Sequence, residues 1–361
     1  MKSIRGKVAC LRLFACAVGP FFGGMLSLQA QGSDVHVAGV PVTGPLHAHI
    51  EFWDVPFPNA QPQGIFFAER NGWAWFSGEG SDILGRFDTK THKFEPFHLR
   101  PNTKPYALVE HSGSGVQSTL YFVSRDGGYL GEFDPETRNV REFRIAGGKM
   151  HLEDLAFDHN GVIWFTMGRP QPQYPQGGKV GRLNLFSSEI RLTAPVAHNG
   201  SPHDLAVDSK GTIYFTELDS PYVGSIEPDS MKVTEHIVPN PKVGAVGLVI
   251  TPDDALWLTD SSRGYLARFD VNSNNYQEWP SPSGAMSKPG AIATANGVIW
   301  YAETGTFPNM IVRFDPVNKK FESWPLAEGG TIGLLSAQPD GTLWFALPSA
   351  NKIGELIPEG K

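Results

Sequence analysis

A short aromatic phrase occurs seven times in this chain, and it constrains the fold more than any other feature. The copy at 211–217 reads Gly-Thr-Ile-Tyr-Phe-Thr-Glu. The leading aromatic residues of the seven copies lie 43 to 50 positions apart, at Trp75, Tyr121, Trp164, Tyr214, Trp257, Trp300 and Trp344. A repeat of about 40 to 50 residues that is built from short strands predicts a β-propeller with one repeat per blade. Because every copy has an aromatic residue at the same place, we expect these side chains to pack between blades.

Each repeat reads as four strands, because apolar and polar residues alternate in short runs separated by Asp-Pro or Asp-Gly turns. The last repeat stops after its third strand, at 352–356, whereas an unpaired fourth-strand phrase at 49–56 precedes the first repeat. Pairing these two segments would remove two exposed sheet edges. The sequence therefore predicts an all-β, seven-bladed β-propeller closed by an N-terminal strand in the last blade, with the propeller over 47–361.

Residues 1–30 lie outside this pattern and are typical of a secretory signal peptide. Lys2, Arg5 and Lys7 precede an apolar stretch that contains three glycines and a proline, which makes it short for a membrane span. We expect cleavage near Ala30, a flexible lead-in at 31–46 and a periplasmic or secreted protein, and an uncleaved anchor is the alternative. Both cysteines, Cys10 and Cys16, would leave with the signal peptide, so the mature chain would contain no disulfide.

The charge of the mature chain argues against two classes of partner. Removal of 1–30 takes away four of the 30 basic residues and none of the 37 acidic ones, which leaves a formal charge of −11. An acidic protein without a basic run is a poor match for nucleic acid or an anionic membrane. We expect a monomer that binds a small molecule or peptide at the mouth of the propeller channel.

Two columns of residues are candidates for function, because in each blade the start of the first strand lies beside the end of the second. The first-strand column is Gln63, Tyr106, Glu153, His203, Val246, Gly290 and Ile332. The second-strand column is Gly78, Ser124, Met167, Glu217, Asp260, Glu303 and Leu347. Structural positions repeat from blade to blade, so residues that break the repeat indicate function.

Three neighbouring carboxylates in the second-strand column, Glu217, Asp260 and Glu303, suggest a site for a hard cation. Oxygen ligands favour Mg²⁺ or Ca²⁺ over zinc, which would call for more His or Cys. The alternative is that all three are rim residues that hydrogen-bond to loops. We interpret His203 as a catalytic base or ligand that works with Glu217.

Other residues near the expected channel mouth are candidates for substrate binding. These are Tyr106, Arg125, Glu153 and His151, with Asp154 and Asp204 as their neighbours and Arg169 and Arg263 as further possible anion contacts. Asp204 occupies the same position as Asp154, so it has a second interpretation as a turn cap. The Pro-rich insert 169–176, which contains Tyr174, is a possible lid.

The phrase Ser-Pro-His-Asp-Leu at 201–205, followed by Asp-x-x-Gly-x-Ile-Tyr-Phe-Thr-Glu, resembles the propellers of the virginiamycin B lyase (streptogramin lyase) family. The resemblance covers nearly the whole mature chain. It implies an enzyme that opens a cyclic depsipeptide by elimination at an ester, with Mg²⁺ polarising the carbonyl and a histidine as general base or acid.

The chain departs from this family pattern in its last two blades. Where the family has Pro-His openers, this sequence reads Lys-Pro-Gly at 288–290 and Gly-Thr-Ile at 330–332, and the last phrase continues into Leu347 and Pro348. Its one Pro-His pair is Pro202 and His203 in blade four, with Glu217 closing the same hairpin. The sequence therefore suggests a catalytic site displaced around the channel. The alternatives are a sugar-lactone hydrolase-like enzyme, a binding propeller without enzymatic activity and, least favoured by the sequence, a quinoprotein.

Overall fold

Twenty-eight β-strands and two short 3₁₀ helices, Glu79–Ser81 and Ala197–Asn199, form the part of the chain that the computed structural model describes. The described residues are 48–112, 118–146, 151–168, 177–218 and 220–359. The chain divides into two units, Met1–Asp34 and Val35–Lys361. The expected signal peptide at 1–30 and lead-in at 31–46 lie outside the described residues, as do Arg169 and the rest of the insert 169–176.

The strands form seven antiparallel sheets of four strands each, which confirms the seven-bladed all-β propeller. Blade one is β2 (Pro62–Ala68), β3 (Trp73–Gly78), β4 (Ile83–Asp88) and β5 (Lys93–His98). Blade two is β6 (Pro105–Ser112), β7 (Ser118–Ser124), β8 (Tyr129–Asp134) and β9 (Asn139–Arg144). Blade three is β10 (Leu152–Phe157), β11 (Ile163–Met167), β12 (Lys179–Asn184) and β13 (Glu189–Leu192).

The next three blades repeat this order. Blade four is β14 (Pro202–Val207), β15 (Ile213–Glu217), β16 (Tyr222–Glu227) and β17 (Lys232–Ile237). Blade five is β18 (Ala245–Ile250), β19 (Leu256–Asp260), β20 (Tyr265–Asp270) and β21 (Asn275–Pro280). Blade six is β22 (Pro289–Ala295), β23 (Val298–Glu303), β24 (Met310–Asp315) and β25 (Lys320–Pro325).

The seventh blade contains strands from both ends of the described chain. It consists of β26 (Leu335–Ala337), β27 (Leu343–Leu347), β28 (Lys352–Pro358) and β1 (Ala48–Asp54). Strand β1 pairs antiparallel with β28, from Ala48 opposite Pro358 to Asp54 opposite Lys352. No helix among the described residues is long and apolar enough to span a membrane.

The aromatic phrase forms the packing between blades. Trp344 of blade seven stacks on Phe67 of blade one, with ring centroids 5.2 Å apart and planes 9° apart, and on Trp53 of β1 at 5.5 Å and 16°. Within blade four, the ring of Phe215 on β15 lies against Gly224 on the paired strand β16. A Cβ atom at Gly224 would lie 2.0 Å from that ring, so a glycine is required. These contacts agree with the structural interpretation of the repeated aromatics.

A hydroxyl near the end of the second strand links neighbouring blades and fixes the first-strand column. In blade three, Thr166 accepts a hydrogen bond from the backbone N–H of Asp154 at 3.0 Å and donates to the carbonyl of His203 at 2.5 Å. Ser77, Thr216 and Thr259 make the same link to the carbonyls of Tyr106, Val246 and Gly290. These links anchor the backbone of the channel-lining residues.

Candidate functional site

The two columns lie side by side, as expected, but their side chains have different environments. In blade four, Pro202 pairs with Glu217 and a register shift follows between Pro202 and Leu205. The first-strand residues Tyr106, Glu153 and His203 are partly exposed, whereas the whole second-strand column is buried. The polar side chains at the channel mouth therefore come from the first-strand column and from the residues that directly follow the second-strand column.

One member of the predicted first-strand column is displaced by one position. Leu335 pairs with Phe345, as Ile65 pairs with Phe76 in blade one. The seventh member is therefore Gly333 and not Ile332, and the N–H of Gly333 donates to the carbonyl of Ala346. From blade five to blade seven the column is Val246, Gly290 and Gly333, so only blades one to four contribute larger polar side chains to it.

Arg125 joins carboxylates from two other blades at the channel mouth. Its guanidinium donates to Glu153 at 2.9 Å, lies 3.7 Å from Glu79 and sits 4.1 Å above the ring of Tyr106. Gln63 donates to the other oxygen of Glu79 at 2.8 Å. Among the described residues Glu153 bonds through Oε2 alone, so its Oε1 is free to contact a ligand. Burial raises the pKa of Tyr106, which keeps its hydroxyl protonated.

His203 adds a cationic side chain to the same cluster. Its Nδ1 lies 2.8 Å from Oδ1 of Asp204, an ion-pair distance without hydrogen-bond geometry, and its Nε2 has no hydrogen-bond partner among the described residues. Burial lowers the pKa of His203, but the charges of Asp204, Glu153 and Asp154 outweigh burial and raise that pKa to about 9. His203 is therefore an imidazolium at neutral pH, which suits a proton donor better than a base.

Asp154 and Asp204 hold adjacent blades together. Oδ2 of Asp154 accepts from the N–H of Leu205 in blade four at 3.0 Å, and Oδ2 of Asp204 accepts from the N–H of Leu248 in blade five at 3.3 Å. Burial, together with the charge of Asp204, raises the pKa of Asp154. Asp204 thus accepts from a strand N–H of the next blade instead of capping a turn, and its other oxygen, Oδ1, lies beside His203.

A cavity of about 160 Å³ lies on the channel axis next to this cluster. Glu153, Asp154 and Asp204 line one side. The other lining residues are apolar and come from blades one, two, five, six and seven: Ile65, Ala107, Leu108, Leu248, Ile292, Leu334 and Leu335. A ligand that fits would bring a polar group to blades three and four and an apolar group to the opposite wall.

Glu217 does not face this cavity. Its side chain is 0 % exposed, and neither carboxylate oxygen has a hydrogen-bond partner among the residues that the structure describes. It lies under Gly200, where a Cβ atom would come within 1.9 Å of Glu217 Oε2. Burial, followed by the charge of Glu235, raises the pKa of Glu217 to about 7.

Asp260 belongs to a closed network inside blade five. Its Oδ1 accepts backbone N–H groups from Gly244 at 3.0 Å and from Ser262 at 3.1 Å, and its Oδ2 accepts from Arg263 Nε at 2.5 Å. Arg263 also donates to both oxygens of Glu278, at 3.2 and 2.7 Å. Both oxygens of Asp260 are therefore already bonded within the protein.

Glu303 is likewise buried within its own blade, blade six. One oxygen accepts from the N–H of Ser283 at 3.4 Å and the other has no partner, and burial raises the pKa of Glu303. Among the residues that the structure describes, no three His, Cys, Asp or Glu side chains are grouped so that they could hold a metal ion. The trio Glu217, Asp260 and Glu303 is not brought together, and the pair Glu79 and Glu153 already has a guanidinium between its carboxylates. This arrangement does not fit a bound Mg²⁺ or Ca²⁺ ion.

The structure thus brings together Tyr106, Arg125, Glu153 and His203, whereas His151 contacts a different carboxylate, that of Asp126. His151 Nδ1 lies 3.3 Å from Asp126, which also pairs with Lys104 at 2.7 Å. Glu79 was missed by the sequence reasoning. It stands directly after the second-strand column, in the position that Arg125 occupies in the next blade, and this correspondence is the signal that could have found it.

Comparisons with known proteins agree with this architecture. Residues 189–361 match the Virginiamycin B lyase family. The virginiamycin B lyase of Staphylococcus aureus superposes with a TM-score of 0.74 at 23% identity, over 86% of this chain and 99% of that one. A catalytically inactive histidine-to-alanine variant of that enzyme with quinupristin gives 0.71 at 22%, over 86% and 99%.

More distant propellers show the same fold. Hydrazine synthase of Kuenenia stuttgartiensis gives a TM-score of 0.68 at 12% identity, over 85% of this chain and 98% of that one. The search among curated proteins finds no match for this chain. At these identities the structural likeness establishes the fold alone.

Proposed function

We propose that this chain, a virginiamycin B lyase-like seven-bladed β-propeller, is an enzyme that opens a cyclic ester by elimination at its channel mouth. The observation that carries the proposal is the placement of a proton donor and a proton acceptor in one cluster. Among the described residues nothing bonds to His203 Nε2 or to Glu153 Oε1, and the Glu153 carboxylate is close enough to raise the pKa of His203.

The proposed reaction uses these two groups in opposite roles. Glu153 Oε1 removes the proton from the carbon next to the carbon that carries the ester oxygen. The electron pair of that C–H bond forms a C=C bond while the bond from carbon to the ester oxygen breaks. The leaving group departs as a carboxylate, and the Nε2–H of His203 stabilises its developing charge. The ring opens and no water is consumed.

Arg125 and Tyr106 position the base in this scheme. Arg125 holds Glu153 through Oε2, which leaves Oε1 pointing away from that bond. Tyr106 supports the flat face of the guanidinium, and Glu79 holds its other side. The apolar wall of the cavity, including Leu248 and Ile292, would receive the hydrophobic side chains of a cyclic depsipeptide.

A panel of cyclic depsipeptides, starting with quinupristin, and of simple lactones tests the proposal by mass spectrometry. An elimination product has the mass of its substrate, whereas hydrolysis adds the mass of one water. We expect His203→Ala and Glu153→Gln each to lower kcat/KM by about 100-fold or more. The matched control is His236→Gln, on the outer strand of the same blade, and its rate should equal that of the wild type.

The pH profile supplies a second test. Because His203 must be protonated, activity should fall as the pH rises through about 9. A rate that His203→Ala leaves unchanged, or a profile that is flat through this range, would contradict the assignment of His203. Products that gain water would favour a sugar-lactone hydrolase-like enzyme.

A binding propeller without enzymatic activity is the second candidate function. It is favoured by the hydrogen bond between Arg125 and Glu153, because a carboxylate paired with a guanidinium is a weakened base. Saturable binding of quinupristin without any product, reduced by Arg125→Met, would support this alternative.

Export is a separate proposal that rests on residues 1–30 alone. N-terminal sequencing of the protein recovered from outside the cytoplasm should begin near Gln31 if the signal peptide is cleaved. A protein that keeps Met1 and remains in the membrane fraction would instead indicate an uncleaved anchor.

A further inference from the structure

The face of the propeller opposite the channel mouth carries a second and larger cavity. It lies among the turns that join the first and second strands of blades four, five and six, which are at the far end of those strands from His203. Its volume is about 350 Å³. The polar residues that line it include Asp208, Ser209, Thr251, Asp254, Thr294 and Asn296.

Hydrogen bonds link three pairs of neighbouring turns around this cavity. His159 Nε2 donates to the carbonyl of Asp208 at 2.8 Å, which connects blade three to blade four. Ser209 donates from its N–H and its Oγ to Asp254 at 2.8 and 2.6 Å, which connects blades four and five. Asn296 donates to the carbonyl of Pro339 at 2.7 Å, which connects blades six and seven. The described residues form no such bond between the turns of blades five and six, and the cavity opens there.

One carboxylate oxygen in this cavity lacks, among the described residues, the hydrogen-bond donor that the equivalent oxygen has in blade three. In blade three, Asp158 caps its own turn through Oδ1, and its Oδ2 accepts from the indole N–H of Trp164 at 2.9 Å. In blade four, Asp208 caps its turn in the same way, but Tyr214 replaces the tryptophan. Asp208 is only 5% exposed and lines the cavity, and no described residue hydrogen-bonds to its Oδ2.

The hydroxyl groups around the cavity present acceptors, because their own hydrogens already donate within the protein. The hydroxyl of Thr251 donates to Asp253 at 2.5 Å, and that of Thr294 donates to the carbonyl of Val298 at 2.8 Å. The hydroxyl of Ser209 is used by Asp254, as described above.

The remaining lining fits an apolar body. Val207, Ile250, Pro252 and Ala295 complete the wall. Lys210, on the same turn as Asp208, is exposed and is not part of the lining. Two carboxylates, several acceptors and an apolar wall favour a ligand that donates hydrogen bonds, carries positive charge and has a hydrophobic part.

We propose that this cavity binds a small organic cation, a protonated primary amine on an apolar body, through Oδ2 of Asp208. The ammonium group would supply the donor that Trp164 supplies in blade three. The site is independent of the channel mouth, so its occupancy does not depend on the proposed enzymatic function.

Isothermal titration of the full chain with benzylammonium tests the proposal. A fragment of this size should bind with a Kd of about 1 mM, whereas benzyl alcohol and benzoate should bind at least about tenfold more weakly. Asp208→Asn retains a turn-capping oxygen and should weaken benzylammonium binding by about tenfold. Asp158→Asn is the matched control, because its second oxygen is already bonded, and it should bind as the wild type does.

A second variant distinguishes a blocked cavity from a misfolded Asp208→Asn protein. Ala295→Phe fills the cavity without touching either aspartate and should abolish binding, while His203→Ala should leave the affinity unchanged. The proposal is overturned by the absence of binding to the wild type, by equal binding of benzyl alcohol, or by a folded Asp208→Asn protein with unaltered affinity.

Discussion

Two arginines of this propeller each lie between two carboxylates and against a tyrosine ring, but their clusters differ in burial and in how completely they are bonded. Arg263 in blade five contacts Asp260, Glu278 and Tyr265, and Arg125 at the channel mouth contacts Glu79, Glu153 and Tyr106. The composition of the two clusters is almost the same.

The clusters differ in where their members come from and in how completely they are bonded. Asp260, Arg263 and Glu278 belong to one blade, and the carboxylate side chains are 0% and 4% exposed. Glu79, Arg125 and Glu153 come from blades one, two and three, their side chains are 12–28% exposed, and one ion contact is 3.7 Å long. In the described structure the cluster within one blade has both oxygens of Asp260 and of Glu278 bonded, whereas the cluster assembled across blades leaves Glu153 Oε1 without a partner.

The sharpest test of this comparison replaces each arginine by methionine. Arg263→Met leaves Asp260 and Glu278 buried without a cation, so we expect a loss of about 3–5 kcal/mol in the free energy of unfolding. Arg125→Met removes a cation from a partly exposed cluster and should cost about 1 kcal/mol or less. Denaturant unfolding at pH 7 measures both, and equal losses would remove the distinction between the clusters.

Glu217 extends the comparison to a buried carboxylate that forms no ion pair with an arginine among the described residues. Burial raises its pKa to about 7 in the folded protein from 4.5 in a model peptide. Its contribution to stability is therefore complete below pH 4.5 and is lost as the pH rises through 7. Relative to wild type, Glu217→Gln should gain about 1–3 kcal/mol between pH 4 and pH 8.

The control for this pH series is Glu189→Gln, which removes an exposed carboxylate from blade three. Its stability should follow the wild-type curve across the same range. If Glu217→Gln also follows that curve, Glu217 has a partner or solvent contact that keeps it ionised, and the comparison with Arg263 would fail.

Of these changes, the addition of divalent cations should alter the stability least. A guanidinium already lies between Glu79 and Glu153, and Glu217, Asp260 and Glu303 are separated, so millimolar Mg²⁺ or Ca²⁺ should change Tm by no more than about 1 °C. Thermal melts with and without a chelator measure this. A larger rise that disappears in Asp260→Asn would restore the metal site predicted from the sequence.

The period of the aromatic phrase was sufficient to predict the blades, because each copy must bury the same side chains against the next blade. It also placed Tyr106, Glu153 and His203 in one column. Ile332 was misplaced by one residue because strand β26 has only three residues, which is too short for hydrophobic alternation to fix its register.

The orientation of the second-strand column could not be predicted in the same way. Both faces of a blade are covered by neighbouring blades, so residues such as Tyr214, Phe215 and Glu217 are all buried and the usual alternation of exposed and buried positions is lost. The side chains that reach the channel mouth follow the strand, as Glu79 and Arg125 do. The contact between Glu79 and Arg125 joins two blades, so it depends on how the blades are arranged around the channel.

The pairing of β1 with β28 has a consequence for how the protein folds. Residues 48–54 and 352–358 lie at opposite ends of the propeller sequence, so the last sheet cannot be completed until both ends are available. A contact over such a long separation carries a large loop-closure entropy and forms late. The first six blades can each assemble from local hairpins. The seventh blade should therefore be the last to form during folding and the first to open during unfolding.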